Sequence, residues 1–305
     1  MIELPETHVL TKQINETLLG KTIKNAVANA SPHAFAFYSG DCAAYGGMLA
    51  GAKITKASTD FGGCGSQVEI MCDDMLLSLS TPIKYHKPGE KLPKSHQLLL
   101  EFDDGSHMSC TVQMWGGIHC VPFAQRPENK QVPCPYTDAF DEAYFDSLIS
   151  GEKPNLSAKA LLATEQRIPG LGNGVLQDIL FNARIHPKTK LETLTDTDIR
   201  RLFRSVKSTL KEMRDEGGRD TEKDLFNKNG GYVTILSKNT LIHPCRECGS
   251  GLVRQAYLGG NIYFVLCASL CKNTLCKPTP RSGCEGINNF VQKCCLVKEE
   301  NGNFL

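Results

Sequence analysis

Pro127, Pro133 and Pro135 fall within residues 124–136, and the hydrophobic pattern changes character across them. Before this stretch the apolar runs are short. QVEIM, MLLSLS, HQLLLEF and HMSCTVQMW read as strands, with Asp103, Asp104 and Gly105 as the hairpin turn between the last two. One helix precedes them, over residues 7–19, where Leu10, Ile14 and Leu18 share a face before Gly20 closes it. After the prolines the period is helical: LSAKALLATEQ is a good helix former. From Thr195 to Met213, residues Ile199, Leu202, Phe203, Val206, Leu210 and Met213 form one stripe, with Thr195 and Asp198 placed to cap its start. The spacing predicts an α+β chain, and 305 residues suffice for two cores.

No run of eighteen apolar residues is present, and MIELPETHVL has acidic residues where a secretory signal is basic and then apolar. The expected location is therefore cytoplasmic (nucleoid-associated if bacterial), with no membrane partner. Charge is uneven: residues 1–150 carry 11 Lys+Arg against 17 Asp+Glu, residues 151–264 carry 18 against 13, and residues 265–305 carry 5 against 3. The basic excess in the helical segment fits a polyanionic partner, and fits a solvated helix face as well. Arg200, Arg201, Arg204, Lys207 and Lys211 on the long helix read mostly as that solvated face. Eight of the fourteen cysteines follow residue 244, while Cys42, Cys64, Cys72, Cys110, Cys120 and Cys134 are scattered and expected as buried thiols.

The stretch IPGLGNGVLQDILFNARIHP, residues 168–187, places Gly170, Gly172 and Asn173 ahead of an apolar helical pattern that His186 and Pro187 stop. Glycine opens backbone conformations that let successive N–H groups converge at a helix N-terminus. With the helix dipole behind it, such a corner suits a phosphate, and Asn173 adds a side-chain donor. A tight interhelical turn needing glycine only for close packing is the alternative.

The order helix, PGLGN, helix ending IHP, long helix, GGRDTEKDLF, glycine-bearing hairpin and paired cysteines resembles the formamidopyrimidine-DNA glycosylase and endonuclease VIII family. ELPE at residues 3–6 and GGIHC after the strands extend the resemblance over roughly residues 1–264. It implies a β-sandwich with a flanking helix over 1–125, a linker at 126–150, a helix/two-turn/helix domain at 151–240 and a zinc-finger hairpin at 241–272. It further implies a monomer that recognises damaged double-stranded DNA and excises the base in base excision repair. Gly170, Gly172 and Asn173 would hold phosphates beside the lesion while the base is extruded. HPCRECGSG and YLGGNIYF read as the two limbs of the hairpin.

The family's mechanism begins with a proline after the initiator methionine, whose secondary amine attacks the sugar. Here position 2 is Ile2, so Met1 is expected to stay and its primary amine to lie one residue early. Lyase chemistry is therefore doubtful on sequence grounds. Glu3 and Glu6 keep the family's positions as catalytic carboxylates, for ring opening or activation of water; complementing the helix dipole is the alternative role. The expected lysine falls near Gly62, with Lys53 and Lys56 as imperfect stand-ins. In QMWGG, Trp115 is the candidate stacking wedge, without the family's arginine beside it, or else a core residue. A non-catalytic nucleic-acid-binding protein, on DNA or structured RNA, is the competing reading.

Cys245 and Cys248 form C-x2-C, and Cys267 and Cys271 form C-x3-C eighteen residues later. Four thiolates would make a closed structural zinc site. The family's third cysteine belongs at position 265, where this chain has Val265. Back-translating VLCASLCK with permitted codons and adding one T in front reads C-P-V-C-Q-P-L-stop. The expectation is thus a one-nucleotide deletion giving residues 265–305, with 273–305 poorly ordered; extra ligands at Cys276, Cys284, Cys294 and Cys295 are the alternative.

Overall fold

The computed structural model describes residues 2–59, 67–126 and 132–265. Helix α1 (Leu4–Thr17) leads into β1 (Ile23–Ala28), β2 (Ala36–Tyr38), α2 (Tyr45–Leu49) and β3 (Ile54–Ser58). Strands β4 (Val68–Cys72), β5 (Met75–Leu79), β6 (Ile83–His86), β7 (Leu98–Phe102), β8 (His107–Cys110) and β9 (Gly116–Pro122) follow. The second half contains α3 (Glu142–Ser150), α4 (Ala158–Ala163), α5 (Val175–Asn182), α6 (Asp196–Asp215) and the hairpin β10 (Leu252–Tyr257) and β11 (Gly260–Val265).

Strands β1 to β9 form two sheets, ordered β1-β7-β8-β6 and β2-β9-β5-β4-β3, antiparallel except where β2 runs parallel to β9. Alternating apolar residues of both sheets, among them Ile23, Leu98, Leu100, Ile70, Leu77 and Ile118, close on one core. This is the expected β-sandwich. Each such side chain contributes roughly 1.5–3 kcal/mol on burial. The Asp103–Gly105 turn joins β7 to β8 as read, with Gly105 at φ 78°. Strands β1, β3 and β6 escape sequence reading because lysine or asparagine interrupts their apolar residues, and β2 because it is only three residues long.

A second core unites α3 to α6 through Phe140, Phe145, Leu162, Leu176, Ile179, Val206 and Leu210. The segment 126–150, expected as a linker, therefore needs correction. Phe140 and Phe145 are fully buried, and α3 packs on α6, so from residue 140 onward the segment is part of the helical half. Helix α6 starts as expected, Thr195 and Asp198 capping each other reciprocally. Helix α4 is shorter than LSAKALLATEQ suggests, ending before Glu165 and Gln166, both at positive φ.

HPCRECGSG is not a strand limb. Its Cys245 N–H donates to the Ser250 carbonyl (2.8 Å) and its Gly249 N–H to the Cys245 carbonyl (2.7 Å), closing a turn, and the hairpin is built from β10 and β11 instead. No helix among the described residues is long and apolar enough to cross a membrane.

Helix α1 belongs to both halves. Leu10, Ile14 and Leu18 pack into the sandwich core, whereas Leu4, in its first turn, is buried in the helical core. Positions three and four apart share a face, so a 14-residue helix whose first turn faces one core and whose later turns face another must cross the joint.

Candidate active site at the joint between the halves

The first turn of α1 carries Glu3 and Glu6, and both carboxylates are held by the opposite half. Leu4 N–H donates to the Gly170 carbonyl (2.8 Å), which docks the turn on the glycine corner. Gly174 N–H donates to Glu3 Oε1 (2.9 Å) and Val175 N–H to Glu3 Oε2 (2.7 Å). These are the otherwise orphaned donors at the start of α5, so Glu3 complements that helix's N-terminal partial charge from across the joint. Gly172 is needed here: a Cβ on it would collide with the Glu3 carboxylate.

Arg219 completes the arrangement. It is 3% exposed; its Nε donates to Glu6 Oε1 (2.9 Å) and its Nη2 to Glu6 Oε2 (2.8 Å), while Nη1 lies 3.3 Å from Glu3 Oε2. Burial opposes its charge, but the Glu3 and Glu6 carboxylates outweigh this and hold the guanidinium more firmly protonated than usual. Burial pushes the neighbouring Glu222 carboxyl up from its ordinary value, against the pull of Arg219. The chain delivers Arg219 through a close crossing with residues 230–232. Tyr232 N–H donates to the Gly218 carbonyl (3.0 Å), and a Cβ on Gly230 would strike the Gly218 backbone.

The corner differs from an outward nest. Gly170, at φ 75°, donates to the Gln166 side chain (3.2 Å), and Gly174 and Val175 are taken by Glu3. The Gly172 and Asn173 N–H groups have no protein acceptor among the described residues, although Gly172 as a residue is buried. Asn173 Nδ2 donates to the Asn261 carbonyl (2.8 Å), tying the corner to the hairpin, while its Oδ1 is buried without a partner among the described residues. The left-handed backbone thus accounts for Gly170 and close packing against Glu3 for Gly172, and Asn173 is the side chain left at the rim.

Glu6 does not fit a catalytic part. Both its oxygens are spent on Arg219, one also accepts the Glu3 N–H (3.3 Å), and the residue is 3% exposed. Glu3 Oε1 accepts the Gly174 N–H, and a carboxylate oxygen has a second lone pair to offer. Ile2 is buried in the sandwich core, and Met1 lies outside the described residues. Lys53 and Lys56 are exposed on and beside β3, and Gly62 lies outside the described residues.

Trp115 is not a core residue. It is 45% exposed in the loop before β9, beside Met114 at 71%. Gly116 N–H donates to the Phe35 carbonyl (3.0 Å), which brings exposed Phe35 and Phe37 to the same sheet edge.

Sequence reading missed three further residues. Asp178 is a lone acid in the apolar run VLQDILF. It is 1% exposed, accepts the Ile235 and Leu236 N–H groups (2.8 Å each), and burial pushes its carboxyl up to about 6. Lys159, buried on α4, donates to the Tyr257 carbonyl (2.5 Å), and its burial lowers its pKa. Arg219 stood within the quoted GGRDTEKDLF without being singled out. Of the basic residues on α6, Arg201, Lys207, Lys211 and Arg214 are engaged by the protein itself, Arg201 with Ala183 and Asp198, Lys207 with Phe140, and Lys211 and Arg214 with Asp215.

Cys245 is buried and Cys248 part-buried on the turn before β10. Val265, 2% exposed, packs with Cys245 and Leu236. Cys267 and Cys271, and the expected frame break and tail through residue 305, lie outside the described residues; among those described, no group of three His, Cys, Asp or Glu converges on a metal position. Cys72, Cys110 and Cys120 are buried thiols as expected, and burial pushes Cys72 up to about 12 and Cys120 to about 11. Cys42 and Cys134 are only part-buried, and Cys64 lies outside the described residues.

A sandwich and a helical bundle bridged by one N-terminal helix, with a docked C-terminal hairpin, define a two-lobed architecture with solved counterparts. The MutM (Fpg) protein from Thermus thermophilus superposes with a TM-score of 0.71 at 20% identity, over 87% of this chain and 98% of that one. The Lactococcus lactis Fpg in complex with abasic-site-containing DNA gives the same score, identity and coverage. Residues 132–223 match the formamidopyrimidine-DNA glycosylase H2TH domain. The formamidopyrimidine-DNA glycosylase of Rippkaea orientalis is 26% identical over 286 residues, covering 87% of this chain and 98% of that protein. That of Bacillus subtilis is 26% identical over 281 residues, covering 85% and 95%. Residues 132–223 thus carry the H2TH domain of formamidopyrimidine-DNA glycosylases, and the chain as a whole is similar to proteins of that kind in sequence and in fold.

Proposed function

We propose that this protein recognises damaged bases in double-stranded DNA and releases them by hydrolysis of the N-glycosidic bond, as a DNA glycosylase of base excision repair. The observation that carries this reading is the joint itself: Glu3, retained in ELPE, is held by the start of α5 and by Arg219 where the two halves meet. The Gly174 and Val175 N–H groups and the Arg219 guanidinium all face its carboxylate as donors, which suits an acceptor group. In the reaction, positive charge develops on the sugar as the glycosidic electron pair leaves with the base. A fixed carboxylate beside C1′ stabilises that charge, and its spare Oε1 lone pair orients the attacking water.

Strand-cleaving lyase chemistry needs an amine nucleophile; Ile2 lacks the family's secondary amine, and the primary amine of Met1 lies one residue early. The reading is accordingly of a glycosylase rather than a lyase. The Gly172 and Asn173 N–H groups and the second hydrogen of Asn173 Nδ2 are the corner's remaining donors for a phosphate, and exposed Trp115 is the candidate stacking wedge. Cys245 and Cys248 suit one half of a structural zinc site, with Cys267 and Cys271 as the expected other half; bound zinc would hold the hairpin's base together and take no part in base release.

The test combines base release with trapping. The protein is incubated with duplexes carrying oxidised pyrimidines or purines, and with an abasic duplex in the presence of borohydride. Base release without a trapped adduct is the expected result. Glu3→Gln should slow release by roughly 10²-fold, the loss typical of one preorganised electrostatic group, while duplex binding persists. Binding that falls with salt but no release from any lesion would overturn the enzymatic reading and leave a nucleic-acid-binding protein.

A further inference from the structure

We propose that Arg219 is a positioning residue for base release: locked on Glu6, its guanidinium holds the Glu3 carboxylate in the place that Gly174 and Val175 define. The proposal rests on the glycosylase reading above and adds a condition to it, that the site is assembled only when the helical half is seated against α1.

Glu3 and Glu6 are three residues apart on one helical turn, both nearly buried, and like charges at that spacing repel. A cation between them is required, and its shape matters. Nε and Nη2 of Arg219 form a fork on the two Glu6 oxygens, and the planar guanidinium then leaves Nη1 pointing at Glu3 Oε2, 3.3 Å away. Lysine would supply a charge at one point and could not fix two carboxylates together. The site is also sterically reserved for the guanidinium, since a Cβ on Gly174 would overlap Nη1. Arg219 is 3% exposed with its guanidinium against the two acids, so it acts on the reaction only through Glu3.

The experiment measures single-turnover base release, affinity for a duplex bearing a tetrahydrofuran abasic analogue, and thermal melting. Two variants are used. Arg219→Lys keeps the charge and removes the fork, and the double variant Arg219→Gln with Glu6→Gln removes both partners of the buried pair, so that the fork is not replaced by an unpaired carboxylate at residue 6. A misplaced reacting group costs on the order of 10²-fold, so release at saturating enzyme should fall by about that factor in both variants. The loss should appear in the rate constant, with analogue affinity nearly unchanged. Adding Glu3→Gln to Arg219→Lys should cost little more, because both act through one carboxylate.

Full release by Arg219→Lys would overturn the proposal. So would losses that track affinity or the folded fraction, with Glu3→Gln multiplying them further; Arg219 would then be only a brace of the joint. Absence of release by the unmodified protein is a different result, which removes the glycosylase reading and the role of Arg219 with it.

Discussion

Asp178 shows how one residue can connect two segments far apart in sequence. From the apolar face of α5 it accepts two backbone N–H groups of the 232–236 stretch, the same stretch whose Tyr232 pairs with Gly218 and so places Arg219. In Asp178→Ala the Ile235 and Leu236 donors lose their acceptor, and an unsatisfied buried polar group costs about 1–3 kcal/mol. A urea titration should show a loss of about that size or somewhat more, because two donors are affected. Asp178→Asn, which retains one acceptor oxygen, should lose less. Equal stability of the alanine variant would mean that the loop finds other acceptors. The residue was visible in the sequence as a lone acid in VLQDILF, but its target lies 57 residues away and periodicity gives no access to such a pair. Glu3 is the contrasting case. Its position in ELPE marked it as a functional carboxylate, while its two helix-capping bonds emerge only when the chain brings residues 3 and 174 together.

The hairpin β10–β11 is seated on the helical half by polar and aromatic contacts rather than by a large core. Asn261 accepts from Asn173 and Gln177, Tyr263 N–H donates to Gln177 Oε1 (3.0 Å), and the His186 and Phe264 rings meet edge to face at 4.4 Å. At its base Val265 fills the space against Cys245 and Leu236. The sequence placed a two-limbed finger here but assigned one limb to HPCRECGSG, because paired cysteines and glycines look alike in a strand end and in a tight turn. The long helix α6 was legible almost to the residue, since twenty residues of one period with a reciprocal cap leave little choice. If zinc is a structural element of the hairpin, metal analysis of dialysed protein should find it, and Cys245→Ser should lower its content and raise hydrogen exchange in β10 and β11. Protein that contains no zinc, with an equally protected hairpin in Cys245→Ser, would assign the hairpin's stability to Val265 and its apolar neighbours alone.

At the scale of the molecule, the two lobes were legible from the change of hydrophobic period near residue 130, whereas the joint between them was not. A joint consists of contacts between distant segments, here residues 3–6 with 170–175 and 219, and each segment had its own adequate local explanation. The acids could complement their own helix, and the glycines could serve a turn. Burial across the whole fold also sets how stability depends on pH. Burial lowers the pKa of His86, His119 and His186 below the ordinary 6.5. A depressed folded-state pKa means that these histidines favour the folded form above about 6.5 and that this contribution is lost as pH falls through their folded values. Asp178 has the opposite sign, because its carboxyl rises from 3.8 to about 6 and its contribution is present below about 3.8 and lost as pH rises through 6. Glu222, also raised by burial, shares the sign of Asp178; above the folded value of Asp178 the histidines lead, so melting temperature should decline as pH is lowered from about 7.5 to about 6.5. His86→Gln, which can keep a hydrogen bond to Ser109 but does not titrate, should flatten that decline in part. A melting temperature that is constant or rises over this interval would show that other groups control the acid response.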